Sequence, residues 1–276
     1  MHAARYLRQP LLTLFLALAA AAVCAQPAKN LFEPEIGQDG KDVIWVPTPQ
    51  GLVDKMLDMA KVTAADYVID LGSGDGRTVI SAAKRGARAL GIEYNPDMVE
   101  LSNRNAEKAG VADKAKFIKA DIFETDFTQA TVITMYLLPT LNLKLRPKIL
   151  AMKPGTRVVS HAFTMDDWQP DQTDSFDGRT AYMWIVPAKA EGIWQLAHGG
   201  ELSLVQNFQM LTGTLRIGYD TAMITNGRMR GDQITFTAAG SDYSGRLLGN
   251  TIEGTVKGTS SGTWSATRAG AKPAAK

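Results

Sequence analysis

Val68-Ile69-Asp70-Leu71 runs straight into Gly72-Ser73-Gly74-Asp75-Gly76-Arg77. An apolar, β-branched run closed by three alternate glycines, with a helix-like stretch from Thr78 to Arg85 behind it, reads as a strand–loop–helix junction. Glycines there let a ligand approach the backbone closely. The spacing is G-x-G-x-G, not the G-x-G-x-x-G of dinucleotide enzymes. A pyrophosphate favours a helix N-terminus free of negative charge. Here Asp70 and Asp75 flank the loop, which repels a diphosphate and attracts the ammonium of an amino-acid moiety.

From Asp66 to about Pro187, strand-like and helix-like stretches alternate. Arg88–Glu93 is the next strand, and Asn95 caps a helix running to about Ala109, with Gly110 as its stop. Lys116–Ala120, Thr131–Met135 and Thr156–Phe163 read as further strands, with a helix over Pro139–Leu150. This alternation predicts an α/β fold, a mostly parallel sheet with helices on both faces, whose ligands lie beyond the carboxyl ends of the strands. Asp70–Gly76, Glu93, Asp121 and Tyr136 are therefore expected on one rim. After Pro187 the helical period disappears. Short alternating segments (Glu201–Phe208, Thr214–Ile217, Gln233–Thr237, Tyr243–Leu247, Thr251–Val256) predict a small antiparallel all-β domain, a meander or barrel. Thr225-Asn226-Gly227 is a hairpin signal and Gly249-Asn250 a second turn.

Two more carboxylates complete the pattern. Glu93 ends the second strand, placed to accept both hydroxyls of a ribose. Asp121 ends the third, where it can accept from an adenine amino group while Ile122 packs on the ring. These elements suit adenosine joined to a zwitterion, with no phosphate. The run Asp70–Arg77, together with Gly91-Ile92-Glu93-Tyr94 and Asp121-Ile122-Phe123, resembles class I S-adenosylmethionine-dependent methyltransferases. With Val46-Pro47-Thr48-Pro49 ahead of it and Tyr136-Leu137-Leu138-Pro139 after the fourth strand, the stretch from Asp42 to Pro187 resembles the mitochondrial lysine methyltransferases acting on the adenine nucleotide translocase and the ATP synthase c subunit, and their bacterial relatives. The resemblance implies a Rossmann-like fold and S-adenosyl-L-methionine as cofactor. It also implies a protein lysine as methyl acceptor, with a small-molecule or lipid acceptor, or a non-catalytic binding module, as the alternatives. Asp70, Gly72, Ser73, Gly74, Asp75, Gly76, Glu93, Tyr94, Asp121 and Ile122 are the expected cofactor contacts.

Candidates for the acceptor side are fewer. The Asn/Asp-Pro-Pro-aromatic motif of many amino-group methyltransferases is replaced here by Tyr136-Leu137-Leu138-Pro139, so Tyr136 either borders the methyl group or packs in the core. His161 is a candidate base or a hydrogen-bonded structural histidine. Thr48, between two prolines, is either part of a cofactor lid or a stiff lead-in to the domain. Trp168, with Pro170 and Asp171, either lines a substrate mouth or packs.

Residues 1–25 have a basic start (Arg5, Arg8), an apolar run from Leu11 to Val23 and small residues around Val23-Cys24-Ala25, the pattern of a secretory signal. The run is short for a span of roughly 20 residues. Both cleavage and retention as a membrane anchor place the domain outside, in the periplasm. Of 30 basic and 28 acidic side chains, Arg5 and Arg8 belong to this segment, so the two signs balance in the remainder. Such a chain has no general attraction for nucleic acid. Cys24 is the single cysteine and the three histidines are scattered, which argues against a disulfide framework or a zinc site. The expected organisation is a signal peptide at 1–25, the α/β domain at 26–188, the β domain at 189–268 and a disordered tail at 269–276.

Overall fold

A computed structural model describes residues 32–270, so the signal segment 1–25 and residues 271–276 of the tail lie outside the described residues. Helix α1 (Gln50–Met59) precedes the first strand, β1 (Tyr67–Leu71). Then follow α2 (Arg77–Lys84), β2 (Arg88–Glu93), α3 (Pro96–Lys108), β3 (Ala115–Lys119), β4 (Val132–Met135), α4 (Pro139–Leu150) and β5 (Arg157–His161). The α3 boundary follows the sequence signals: Asn95 accepts from the Asp97 amide at 2.9 Å, and Pro96 opens the first turn. A hairpin of β6 (Gln172–Phe176) and β7 (Arg179–Ile185) completes the first sheet, in the order β3-β2-β1-β4-β5-β7-β6. β2, β3, β4 and β5 join in parallel to their neighbours, while β7 runs antiparallel to both β5 and β6.

Buried residues of α1 and α2 cover one face of this sheet. A second cluster, including Leu71, Ile133, Leu145 of α4 and Trp184, covers the other. The α/β expectation therefore holds, and the connections at the carboxyl ends of the strands build a cavity. At the opposite end, Arg157 donates to the buried Asp66, which also accepts from the Thr63 amide (2.8 Å) and the Thr131 hydroxyl (2.8 Å). That network ties β5 to the lead-in of β1.

The remaining strands are β8 (Gly192–Leu196), β9 (Glu201–Asn207), β10 (Met210–Ile217), β11 (Asp220–Met223), β12 (Thr225–Arg230), β13 (Gln233–Ala238), β14 (Ser241–Leu248), β15 (Thr251–Gly258) and β16 (Gly262–Arg268). They form one antiparallel sheet that closes, because β9 pairs with β8 on one side and β10 on the other. The result is an eight-stranded barrel with β11 appended to β10. Closure removes the exposed edges that an open meander would leave. Its interior is filled by aromatic rings: Phe236 stacks on Tyr243 (4.7 Å between centroids), and Trp264 meets both edge-on.

Local signals in this region fared unevenly. Gly249-Asn250 forms the β14–β15 turn as expected. Asn226-Gly227 does not join a pair of strands: β11 pairs with β10 alone, and Asn226 (φ +51°) lies in a bulge of β12 against β13. The positive φ that an Asn-Gly hairpin turn requires is used here to bend a barrel strand. The tail does not loosen at 269, since the Ala269 amide donates to the Ile193 carbonyl at 2.8 Å.

Candidate active site

The glycine loop after β1 is held at three points. Gly72, Gly74 and Gly76 have φ of +78°, +53° and +83°, the left-handed region that side chains with a Cβ avoid. Its carbonyls are fixed from α3: the Ser102 hydroxyl donates to Gly74 O (2.8 Å) and the Asn105 amide to Asp75 O (3.0 Å). Its amides are also committed. Gly72 and Ser73 donate to Ile92 O, Gly76 donates to Ser73 O, and Gly74 donates to the Glu93 carboxylate at 2.9 Å. A phosphate cradle must present free amides. With the amides of Gly72, Ser73, Gly74 and Gly76 taken, the loop offers space but few of those donors, a second physical reason beside charge that it disfavours a pyrophosphate.

The loop is also tightly packed. A Cβ on Gly76 would stand 2.7 Å from the Phe117 ring and 2.9 Å from the Ser102 Cβ, in addition to the strained φ. Gly76→Ala is expected to cost about 2 kcal/mol and to lower Tm by roughly 5 °C. Scanning calorimetry would check this; an unchanged midpoint would contradict the packing.

The loop opens onto a cavity of about 340 Å3 beyond the carboxyl ends of β1, β2, β3 and β4. Asp70, Gly72, Ser73, Gly74, Asp75, Glu93, Tyr94, Asp121, Ile122 and Tyr136 all line it. Gly76 and His161 are not among the lining residues: the former supports the loop, and the latter stands behind Tyr136. Asp70 is buried and accepts from the Thr134 hydroxyl at 2.7 Å. Burial, reinforced by the charges of Glu93 and Asp75 and opposed by hydroxyl hydrogen bonds, pushes its carboxyl up to about 7. Asp75 differs from the sequence expectation. Arg77 takes both its oxygens, with Nη2 at 2.6 Å from Oδ2, and also donates to Thr48 O (2.8 Å). Asp75 is thus neutralised, and Asp70 alone is left to attract an ammonium.

Glu93 accepts from Gly74 N through one oxygen and from Asn95 N through the other, each at 2.9 Å. Two amides orient the carboxylate while each oxygen retains a further lone pair. Asp121 accepts from Phe123 N (2.9 Å) and from the Lys41 ammonium (2.5 Å); the ammonium, ahead of the amide, holds its carboxyl below the usual range. The Lys41 ammonium also lies 4.8 Å from the centre of the half-exposed Tyr94 ring.

Tyr136 is half-buried and lines the cavity, so it is no core tyrosine. His161 stacks on it at 3.8 Å between centroids and shares a 3.0 Å hydrogen bond between Nδ1 and the Thr48 hydroxyl. Burial, with the Arg179 charge adding to it, pushes this imidazole down to about 4. A buried, neutral, hydrogen-bonded His161 away from the cavity wall matches the structural reading of that residue. Trp168 is fully buried and packs on Trp184 rather than lining a mouth.

Sequence reasoning missed much of the wall. Residues Gln38 to Thr48 all line the cavity, with Trp45 over Gly74, and so do Met56, Met98, Met135, Leu141 and Phe163. Val46-Pro47-Thr48-Pro49 was the one signal in that strap, and Thr48 indeed lines the cavity. Among the described residues no cluster of His, Cys, Asp and Glu could hold a metal.

The site fits an adenosyl amino acid on its own chemistry. It has oriented carboxylates for hydroxyls and an amine, and the buried Ser73 hydroxyl has no hydrogen-bond partner among the described residues. Similarity to known proteins agrees. Residues 70–172 match the family described as the ANTKMT methyltransferase domain. A protein-lysine N-methyltransferase of Saccharolobus islandicus is 42% identical over 151 residues, covering 52% of this chain and 94% of that protein. The mouse lysine N-methyltransferase named for the c subunit of ATP synthase is 35% identical over 146 residues, 52% of this chain and 59% of its own. Among solved structures, an RNA methyltransferase of Salinibacter ruber in complex with S-adenosyl-L-homocysteine is 51% identical, with a TM-score of 0.51, covering 52% of this chain and 95% of that one. The family match ends at residue 172, before the barrel begins.

Proposed function

The chain belongs to the ANTKMT methyltransferase family, and we propose that this S-adenosylmethionine-dependent methyltransferase acts on the side-chain amine of a protein lysine. The observation that carries the choice of acceptor is the far wall of the cavity. Tyr136, Leu137, Leu138, Leu141 and Phe163 line it, and His161 is buried behind Tyr136 rather than on the lining. An apolar, aromatic wall disfavours the charged form of an incoming ammonium and lowers its pKa, so the amine can shed its proton to water before reaction.

In this reading Asp70 pairs with the cofactor's ammonium, Glu93 accepts from the ribose hydroxyls, and Asp121 accepts from the adenine amino group, with Ile122 and Tyr94 against the ring. The bound cofactor supplies an activated methyl group on sulfur. The protein's share is to hold the acceptor nitrogen in line with that methyl and to exclude water, and positioning of this kind accounts for much of the rate. The archaeal and mouse relatives are named as lysine methyltransferases, which supports the same acceptor.

The test is transfer of labelled methyl from S-adenosylmethionine into a lysate of the source cells, fractionated into protein, RNA and organic extract. Label in protein, recovered as methyl-lysine after hydrolysis, is the expected result. Label confined to RNA or to the organic extract would overturn the lysine reading. We further propose that residues 1–25 export the enzyme, so that its acceptor lies outside the cytoplasm or on the membrane surface that an uncleaved segment would reach. Cell fractionation with N-terminal sequencing checks this, and a cytoplasmic protein starting at Met1 would sink it.

A further inference from the structure

Among its contacts with the α/β domain, the barrel meets the segment between β5 and β6, residues 162–171, and the two ends of that segment face different tasks. At one end, Phe163 lines the cavity and stacks on Tyr136 at 5.9 Å between centroids. At the other end, the barrel holds on. Arg228 of β12 donates to Asp171 Oδ1 at 2.6 Å, and the Gln209 amide, from the β9–β10 turn, donates to Gln169 O at 2.7 Å. The Phe208 ring stacks on Trp168. These holds are substantial, because the side chains of Asp171 and Gln209 are both almost fully buried.

They add to holds from β7, where Trp184 Nε1 donates to Trp168 O at 2.7 Å and the Ile185 amide to Asp171 Oδ2 at 2.8 Å. Ala162 and Asp166 adopt φ of +63° and +58°, a conformation that costs free energy in residues with a Cβ and persists only where surrounding contacts over-determine it. From α4, Asn142 contributes hydrogen bonds of 3.4 and 3.2 Å to the Phe163 and Thr164 carbonyls, and Arg146 donates to Met165 O at 2.8 Å. Every described residue that lines the cavity precedes Thr164, so no described barrel residue touches it directly, and this segment is one route by which the barrel bears on the site.

We propose that the barrel is a positioning element for the methyl acceptor: Arg228, with Gln209, fixes residues 162–171 and thereby holds Phe163 against Tyr136. Arg228 is a positioning residue and touches neither substrate. The cofactor side is outside its reach, since Asp70–Gly76, Glu93 and Asp121 belong to the ends of β1, β2 and β3. The activity readout in the following test rests on the lysine reading; the exchange readout does not.

The test compares the whole chain with Arg228→Ala, Arg228→Lys and Asp171→Asn. Three quantities are measured: S-adenosylhomocysteine affinity by calorimetry, amide hydrogen exchange, and methyl transfer from S-adenosylmethionine to poly-L-lysine. Arg228→Ala is expected to speed exchange in 162–171 by about ten-fold and to lower kcat/KM for poly-L-lysine roughly ten-fold, with cofactor affinity within about two-fold of wild type. Arg228→Lys should recover part of the turnover. Should Arg228→Ala fail to fold, Asp171→Asn removes the same charge pair while keeping the side-chain shape. Unchanged exchange in 162–171, or unchanged turnover beside an active wild type, overturns the proposal. If the wild type itself leaves poly-L-lysine unlabelled, the lysate labelling decides the acceptor, and the exchange result alone decides the barrel's role.

Discussion

Glu93→Ala is expected to weaken S-adenosylhomocysteine binding by about a hundred-fold or more, measured by calorimetry on the purified protein. The size follows from what the carboxylate does. Its two oxygens are aimed by the Gly74 and Asn95 amides, at 2.9 Å each, so little entropy remains to be lost when a ribose arrives. Hydrogen bonds from two hydroxyls to a charged acceptor are worth about 1.5 kcal/mol or more apiece, and about 3 kcal/mol is two decades in affinity. Alanine also releases the Gly74 amide, so part of the loss would come through the glycine loop. Glu93→Gln separates the contributions. It keeps an acceptor and the side-chain volume but loses the charge, and is expected to lie between wild type and alanine. Wild-type affinity in both variants would mean that no ribose is held there and would remove the main support for the cofactor's orientation.

The sequence foretold the parts of the site that follow from local chain order, and missed those that depend on distant contacts. Asp70, the glycines, Glu93 and Asp121 are legible because each stands at the end of a parallel strand, and such ends must share one rim. The strap Gln38–Thr48 has no helical or strand period, so nothing local reveals that Trp45 lies over Gly74 or that Lys41 pairs with Asp121. The fate of Asp75 turns on where the Arg77 side chain points at the start of α2, which spacing does not reveal. The β6–β7 hairpin did carry a signal. Asp177-Gly178, with φ of +49° and +71°, is a two-residue turn of the Asp-Gly kind, yet it lies in a polar stretch whose strand pattern is weak. Barrel closure is less legible still. It depends on β9 pairing with β10 as well as β8, and alternation along single strands is the same in a barrel and a meander.

The other large effect concerns pH and follows from Asp70. In the free protein its carboxyl is pushed up to about 7, chiefly by burial, so near neutrality it is shared between charged and neutral forms. The sign for stability is definite. A group whose folded value is raised above its unfolded one stabilises the fold fully below the unfolded value of about 3.8, and loses that contribution as pH rises through 7. Acidification therefore favours the free protein through this group. Ligand binding has the opposite sign, because only the ionised carboxylate pairs with an ammonium. Affinity for S-adenosylhomocysteine is expected to be flat above pH 7 and to fall by up to about ten-fold per unit below it. Binding near pH 6 should also release close to one proton, visible as a calorimetric heat that changes with the ionisation enthalpy of the buffer. His161, held near 4, stays neutral throughout this window and does not contribute. Asp70→Asn should bind weakly at every pH and show no slope, and should stabilise the free protein at pH 8, where the wild type carries the buried charge. A flat profile in the wild type between pH 5.5 and 8 would show that Asp70 is not the partner of the ammonium. The glycine loop would then hold the ligand by shape alone.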